Sequence, residues 1–115
     1  MEQKIKSESA IQQRIVEFYR NSFCLTHHSP RHAIFSVPNE GKDGKEQSKK
    51  KAIGLMKGVS DLIIMKPGEV ILIECKDDTG KQSDAQVSFE KTVLAMGYRY
   101  FVVRSLEEFK QLPIF

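Results

Sequence analysis

Asp61, Glu74 and Lys76 are the residues of this chain whose types and spacing point most directly to chemistry. Asp61 opens the apolar run Leu62-Ile63-Ile64-Met65. Glu74-Cys75-Lys76 closes a second run, Val70-Ile71-Leu72-Ile73, and Lys66-Pro67-Gly68-Glu69 lies between them. Two such runs around a Pro-Gly pair read as a β-hairpin. With Pro67 and Gly68 as its two-residue centre, Met65 faces Val70 and, at the far end, Asp61 faces Glu74. Directly opposed residues have Cβ atoms roughly 4.5 to 5.5 Å apart, and Lys76 projects from the same face as Glu74. Pro-Gly favours a type II turn over the primed turns of tight hairpins, so a slip of about one or two residues stays open.

Two carboxylates opposed at the end of an apolar hairpin repel each other unless a cation sits between them or one is protonated. Mg²⁺ answers that need, because it binds through one or two carboxylates, waters and phosphate, and the Cys75 carbonyl adds a main-chain oxygen. Such a cation activates water and neutralises a phosphoryl transition state. Lys76 would orient or deprotonate the water, or stabilise charge developing on the phosphate. These are the parts of a phosphodiester hydrolase. The plain alternative is a solvated ion pair at a strand end, since Glu-x-Lys occurs often by chance; the mirrored Asp61 and the apolar runs weigh against it.

The elements that would position these groups follow from periodicity. Ile11, Ile15, Phe18 and Ser22 fall at helical spacing, with Val16 and Tyr19 widening the stripe, so a helix capped by Ser7 is predicted over 8–21. Glu8 lies on the buried stripe beside Ile15 and Tyr19, whereas Glu17 lies on the solvated side. Glu8 is therefore a fourth candidate; its alternative is a first-turn glutamate favoured by the helix dipole. Residues 33–37 read as a strand stopped by Pro38, 41–51 as a loop and 52–56 as a short helix. After the hairpin come a helix from Ser83 or Asp84 to Met96, stopped by Gly97, a strand over 98–103 and a helix over 106–111 capped by Ser105. Both faces of the hairpin are apolar, so helices must cover both. The predicted fold is α/β (α+β), a mixed sheet of about four strands flanked by helices.

With 115 residues, 40% of them hydrophobic, the chain has material for one domain spanning 1–115. Lys and Arg number 18 against 15 Asp and Glu, a net charge of +3, so attraction to a polyanion must come from charge placement. Cys24 and Cys75 are far apart, which argues for a reduced, cytoplasmic protein without a disulfide framework. No apolar stretch approaches the ~18 residues of a membrane span, and no signal-peptide core follows Met1. No membrane and no organic cofactor are expected.

Taken together, Asp61, Glu74-Cys75-Lys76 and the αβββαβ order resemble the PD-(D/E)XK nuclease superfamily, and within it the VRR-NUC family. Shared features are Glu8 with Gln12, Val37-Pro38-Asn39-Glu40-Gly41, Gly54, Gly58-Val59-Ser60-Asp61-Leu62, Ile73-Glu74-Cys75-Lys76 and Gln86. Ser60 departs from the proline of many relatives without removing a catalytic group. The resemblance implies a restriction-endonuclease-like core and a DNA endonuclease dependent on Mg²⁺, with Mn²⁺ as a substitute. It makes Asp61 and Glu74 metal ligands with the Cys75 carbonyl, Lys76 the catalytic lysine, Glu8 the helix carboxylate and a possible ligand, and Gln86 an accessory catalytic residue. Compact members of this kind, often viral, look like homodimers acting on branched DNA such as Holliday junctions, which would place a viral member in the host cytoplasm.

Lys42, Lys45, Lys49, Lys50, Lys51 and Lys57 form a positive segment ahead of the site. With Asn39, the lysines Lys49, Lys50, Lys51 and Lys57 are candidates for gripping DNA phosphates; the alternative is a solvated loop. Cys24, His27, His28 and His32 invite a zinc reading, but their spacing matches no standard site. The rival functions are another nuclease role on this fold, restriction-type or exonucleolytic, and a DNA-binding module in which Asp61, Glu74 and Lys76 form only an ion cluster.

Overall fold

The structure is a computed structural model and describes residues 7–38 and 52–115. Ser7 starts the first helix, its hydroxyl accepting the Ala10 N–H at 3.1 Å and so satisfying a donor that the first turn leaves open. Helix α1 runs Glu8–Tyr19 and buries Ile11, Ile15 and Tyr19. It stops short of the predicted end: Arg20–Cys24 form a π-helical turn that stacks Phe23 on His32 and sets it against Tyr19.

Strand β1 is Ala33–Ser36, β2 Leu62–Lys66 and β3 Glu69–Cys75. Helix α2, Asp84–Ala95, leads to β4, Arg99–Val103, and α3, Leu106–Lys110, follows. The strands form one sheet in the order β1-β2-β3-β4, antiparallel except for the parallel pair β3 and β4. A parallel neighbour needs a crossover of roughly a dozen residues or more, usually helical, and α2 supplies it. The mixed, helix-flanked sheet predicted from periodicity is the observed one.

The hairpin keeps the register that its two-residue centre imposes, with Met65 opposite Val70 and Leu62 opposite Ile73. Gly68 takes a φ of +73°, the left-handed conformation a Pro-Gly turn requires, and no slip occurs. By contrast the helix expected over 52–56 does not run through. Residues 53–54 form a turn and 55–56 are irregular, with Gly54 at φ +111° breaking the helical path. The predicted loop over 41–51 lies outside the described residues.

Alternation along the strands divides the interior in two. Leu62, Ile64, Ile71, Ile73, Cys75 and Val103 face α1 and α3, packing with Ile11, Ile15, Tyr19, Phe109 and Ile114. Leu72 and Tyr100 face α2 and pack with Val93, backed by Ile63, Val70, Phe89 and Val102. The second face is only partly covered among the described residues, leaving Phe35 and Met65 exposed by 41% and 48%. The C-terminus is tied to the turn end of the sheet: Lys66 Nζ donates to the Ile114 carbonyl, and Arg99 donates to the Pro113 carbonyl and pairs with Glu69. Among the described residues no helix is long and apolar enough to cross a membrane.

Ile15 has no exposed surface, so Ile15→Ala leaves a cavity and is expected to cost about 2 to 5 kcal/mol. Met65→Ala, on the open face, should cost under about 1 kcal/mol. Urea unfolding midpoints of the two variants measure the difference.

Candidate active site

The open end of the hairpin, opposite its turn, is where the charged residues meet. Asp61 lies just before β2, held there by its carbonyl, which accepts the Val37 N–H at 3.1 Å. Its carboxylate reaches across the hairpin, Oδ2 accepting the Cys75 N–H at 2.8 Å. In return the Asp61 N–H donates to Glu74 Oε1 at 3.2 Å. These carboxylate bonds lie one step beyond the last strand pair, Leu62 and Ile73, where the hairpin centre places Asp61 against Glu74. Ser60, fully buried, donates from its hydroxyl to the Leu62 carbonyl at 3.3 Å and stiffens the approach.

Glu74 has no exposed surface, and each of its oxygens has a donor. Oε2 accepts Gln86 Nε2 at 2.5 Å and stands 3.2 Å from Lys76 Nζ. Gln86 is aimed by the capping box of α2, in which Ser83 Oγ accepts the Gln86 N–H and Gln86 Oε1 accepts the Ser83 N–H. Committing Oε1 to the helix cap leaves the NH₂ group for Glu74. The start of α2 is set in turn by Gly58: at φ +84°, a Cβ there would come within 2.2 Å of the Ala85 carbonyl oxygen. Only glycine lets residue 58 lie so close to the backbone of the helix that carries Gln86.

Lys76 is nearly buried, and its Nζ lies 3.9 Å from Glu8 Oε1 as well as beside Glu74. Glu8 thus comes to the site from the first helix as expected, but against the lysine. Its side chain is 43% exposed. Among the described residues no group of three or more His, Cys, Asp or Glu is disposed to hold a metal, so any cation here would rest on two carboxylates and main-chain or water oxygens. That donor set, hard oxygen throughout, suits Mg²⁺ or Mn²⁺.

Burial, and then the neighbouring Asp61 charge, push the Glu74 carboxyl up to about 7, against the opposing pull of Lys76 and the Asp61 N–H. Burial followed by the charges of Asp61, Glu74 and Glu8 raises the Cys75 thiol, so it is a packed, unreactive side chain. Tyr100 is likewise raised by burial and then by Glu74. Its hydroxyl accepts Gln82 Nε2 at 3.3 Å, and Gln82 also donates to Glu90. This link between α2 and β4 has no clear signal in the sequence, where a tyrosine in an apolar strand looks like core.

Lys57 is exposed, next to Gly58; Asn39, Lys42, Lys45, Lys49, Lys50 and Lys51 lie outside the described residues. The zinc reading finds no support in the geometry: His28 Nδ1 accepts the Leu25 N–H and His32 Nδ1 shares a hydrogen bond with the Tyr19 hydroxyl.

A carboxyl that ionises near 7 in the fold and near 4.5 when unfolded binds its proton more tightly in the folded state. Its contribution is present below about pH 4.5 and is lost as pH rises through about 7. At about 1.4 kcal/mol per pKa unit, the full loss is of order 3 kcal/mol. Metal-free protein titrated in urea between pH 4 and 8 should therefore weaken relative to Glu74→Gln, and saturating Mg²⁺ should reverse the trend. Parallel curves for the two proteins would contradict the assignment.

No protein-family model matches the chain, and no curated protein matches it. Among solved structures, a VRR_NUC domain protein superposes with a TM-score of 0.70 over 90% of this chain and 82% of its own length, at 19% sequence identity. The chain therefore shares its fold with a VRR_NUC domain protein.

Proposed function

We propose that this chain is a DNA endonuclease that hydrolyses phosphodiester bonds with Mg²⁺, Mn²⁺ serving as a substitute. The observation that carries the reading is a fully buried Glu74 joined to Asp61 across the hairpin, with Lys76 Nζ 3.2 Å away. A charged carboxylate is costly to bury without a compensating cation. Asp61, Glu74 and the Cys75 carbonyl are the groups that would hold the metal. When bound, Mg²⁺ would polarise the phosphate and neutralise charge building on it.

The remaining work falls to this chain's own side chains. Lys76 places a proton-bearing ammonium at the carboxylate pair, where it can orient the attacking water and steady negative charge on the phosphate. Gln86 fixes the Glu74 carboxylate so that it does not rotate as charge develops. Glu8 sets the lysine from the other side. The lysines of 42–57 would grip the duplex ahead of the cut. Branched DNA, such as a four-way junction, is the substrate this reading favours, and a homodimer would place two cuts symmetrically.

A second reading, a DNA-binding module without catalysis, draws on the ion pairs themselves, because Lys76 is flanked by both Glu74 and Glu8, as in a purely structural cluster. The two readings separate in one assay. Labelled four-way junction, flap and linear duplex are incubated with Mg²⁺, Mn²⁺ or EDTA, comparing wild type with Lys76→Ala. The enzyme reading expects metal-dependent cutting that falls by about 10² to 10⁴ in the variant while DNA binding persists. Binding without cutting of any substrate would favour the module. Replacing Lys49, Lys50 and Lys51 with Gln should weaken DNA binding and flatten its salt dependence by about 0.9 in log–log slope for each phosphate no longer neutralised. An unchanged slope would remove that segment from the interface.

A further inference from the structure

Lys76 follows the last residue of β3, Cys75, and leads into a turn, Asp77-Asp78-Thr79-Gly80, that folds back beside its side chain. Asp77 Oδ1 accepts the Thr79 N–H at 3.0 Å and the Gly80 N–H at 2.6 Å, which folds the turn back on itself. A Cβ at Gly80 would sit 3.0 Å from Asp77 Oδ1, 3.4 Å from Lys76 Cδ and 3.5 Å from Glu8 Oε2. The turn backbone therefore stands about one methyl group's width from the lysine stem and from the Glu8 carboxylate. A lysine has many rotamers in solution, and holding one of them needs such a wall.

The turn is itself fastened from β4. Arg104 Nη1 donates to the Asp77 carbonyl at 2.5 Å and to the Gly80 carbonyl at 2.9 Å, bracketing both ends of the turn with one planar group. Arg104 is anchored where β4 meets α3: its N–H donates to Glu108 Oε1, and the preceding Val103 carbonyl accepts the Lys76 N–H at 3.0 Å. The same strand end thus holds the backbone of Lys76 directly and its side chain through the turn.

We infer that Arg104 is a positioning residue for Lys76, holding the 77–80 turn as the wall that keeps the ammonium on Glu74. The catalytic consequence rests on the nuclease reading above; the contact itself does not. Removing the guanidinium takes that donor from the Gly80 carbonyl and leaves the Asp77 carbonyl with the long Gly80 N–H bond of 3.3 Å, so the turn relaxes and the lysine regains alternative rotamers. Displacements of about 1 Å at a reacting group cost on the order of 10²-fold in rate.

The test uses the full chain as wild type, Arg104→Ala, Arg104→Lys and Asp77→Ala. Nitrogen-15 correlation spectra of the lysine ammonium groups are recorded on metal-free protein, with the Lys76 signal assigned by its disappearance in Lys76→Arg. The expected result is a Lys76 signal protected from solvent exchange in wild type, lost in Arg104→Ala and partly recovered in Arg104→Lys. Backbone amide signals remote from the turn should be unchanged. On the preferred DNA, kcat should fall about 10- to 100-fold in Arg104→Ala, with KM within about twofold, and Arg104→Lys should recover part of it. Asp77→Ala, which removes the carboxylate that accepts the Thr79 and Gly80 N–H groups and so loosens the turn without touching Arg104, should move both readouts the same way and serves if Arg104→Ala does not fold. A Lys76 signal that survives in Arg104→Ala overturns the proposal, as does a rise in KM alone, which would make Arg104 a phosphate ligand. If wild type cuts no DNA, the nuclease reading fails, and the Lys76 signal alone still decides whether Arg104 positions it.

Discussion

A carboxylate with no access to water is costly unless every lone pair that matters meets a donor or a cation, and Glu74 is that carboxylate here. Its three partners come from separate elements, and one of them has a partner of its own. The Asp61 N–H arrives from the facing strand, Lys76 from the strand end, Gln86 from the crossover helix, and Glu8 reaches the lysine from the first helix. Of these only Glu8 is remote in sequence from the hairpin and the helix that follows it. The fold can be understood as the arrangement that brings them to one end of the two central strands.

Each partner is held by an ordinary structural device. The helix cap of α2 doubles as the mount for Gln86, because the amide oxygen satisfies the cap and the amide nitrogen meets Glu74. The apolar stripe that seats α1 on the sheet through Ile11 and Ile15 also delivers Glu8 at its first turn. The parallel pairing of β3 with β4 sets Val103 beside Cys75, so the packing of one face fixes the ends of both strands. Site geometry and core packing are consequently coupled, and a cavity far from the carboxylates can be felt at them.

The hairpin is legible in the sequence because its information is local: a Pro-Gly centre and two apolar runs determine both register and the meeting of Asp61 with Glu74. The Ser83 cap and the stripe of α1 are legible for the same reason. The π-helical turn at Arg20–Cys24 is not, since it follows from how Phe23 packs on His32, a contact that periodicity does not encode. The helix expected over 52–56 fails because Ala52, Leu55 and Met56 have helical propensity while Gly54 and Gly58 take positive φ. Arg104 and the 77–80 turn escape a sequence reading because their partners are backbone carbonyls, which leave no trace in side-chain pattern. Glu8 is placed at the site by its helical face, but its closeness to Lys76 depends on how α1 lies on the sheet.

The order of the elements along the chain has a kinetic consequence. Closing a short turn takes microseconds or less, whereas a parallel pair must first bring together segments separated by a whole helix. The β2–β3 hairpin brings Asp61 and Glu74 together with Lys76 beside them, and Gln86 is as near to Glu74 in sequence as Asp61 is, whereas Val103 and Arg104, which anchor Lys76 and its turn, come from beyond the crossover helix. A folding chain therefore holds two opposed carboxylates before the β4 end that fixes Lys76 against them is in place. Protons or divalent cations present at that stage would stabilise the half-built hairpin, so the ionic medium can set how fast this protein folds as well as how firmly it stays folded.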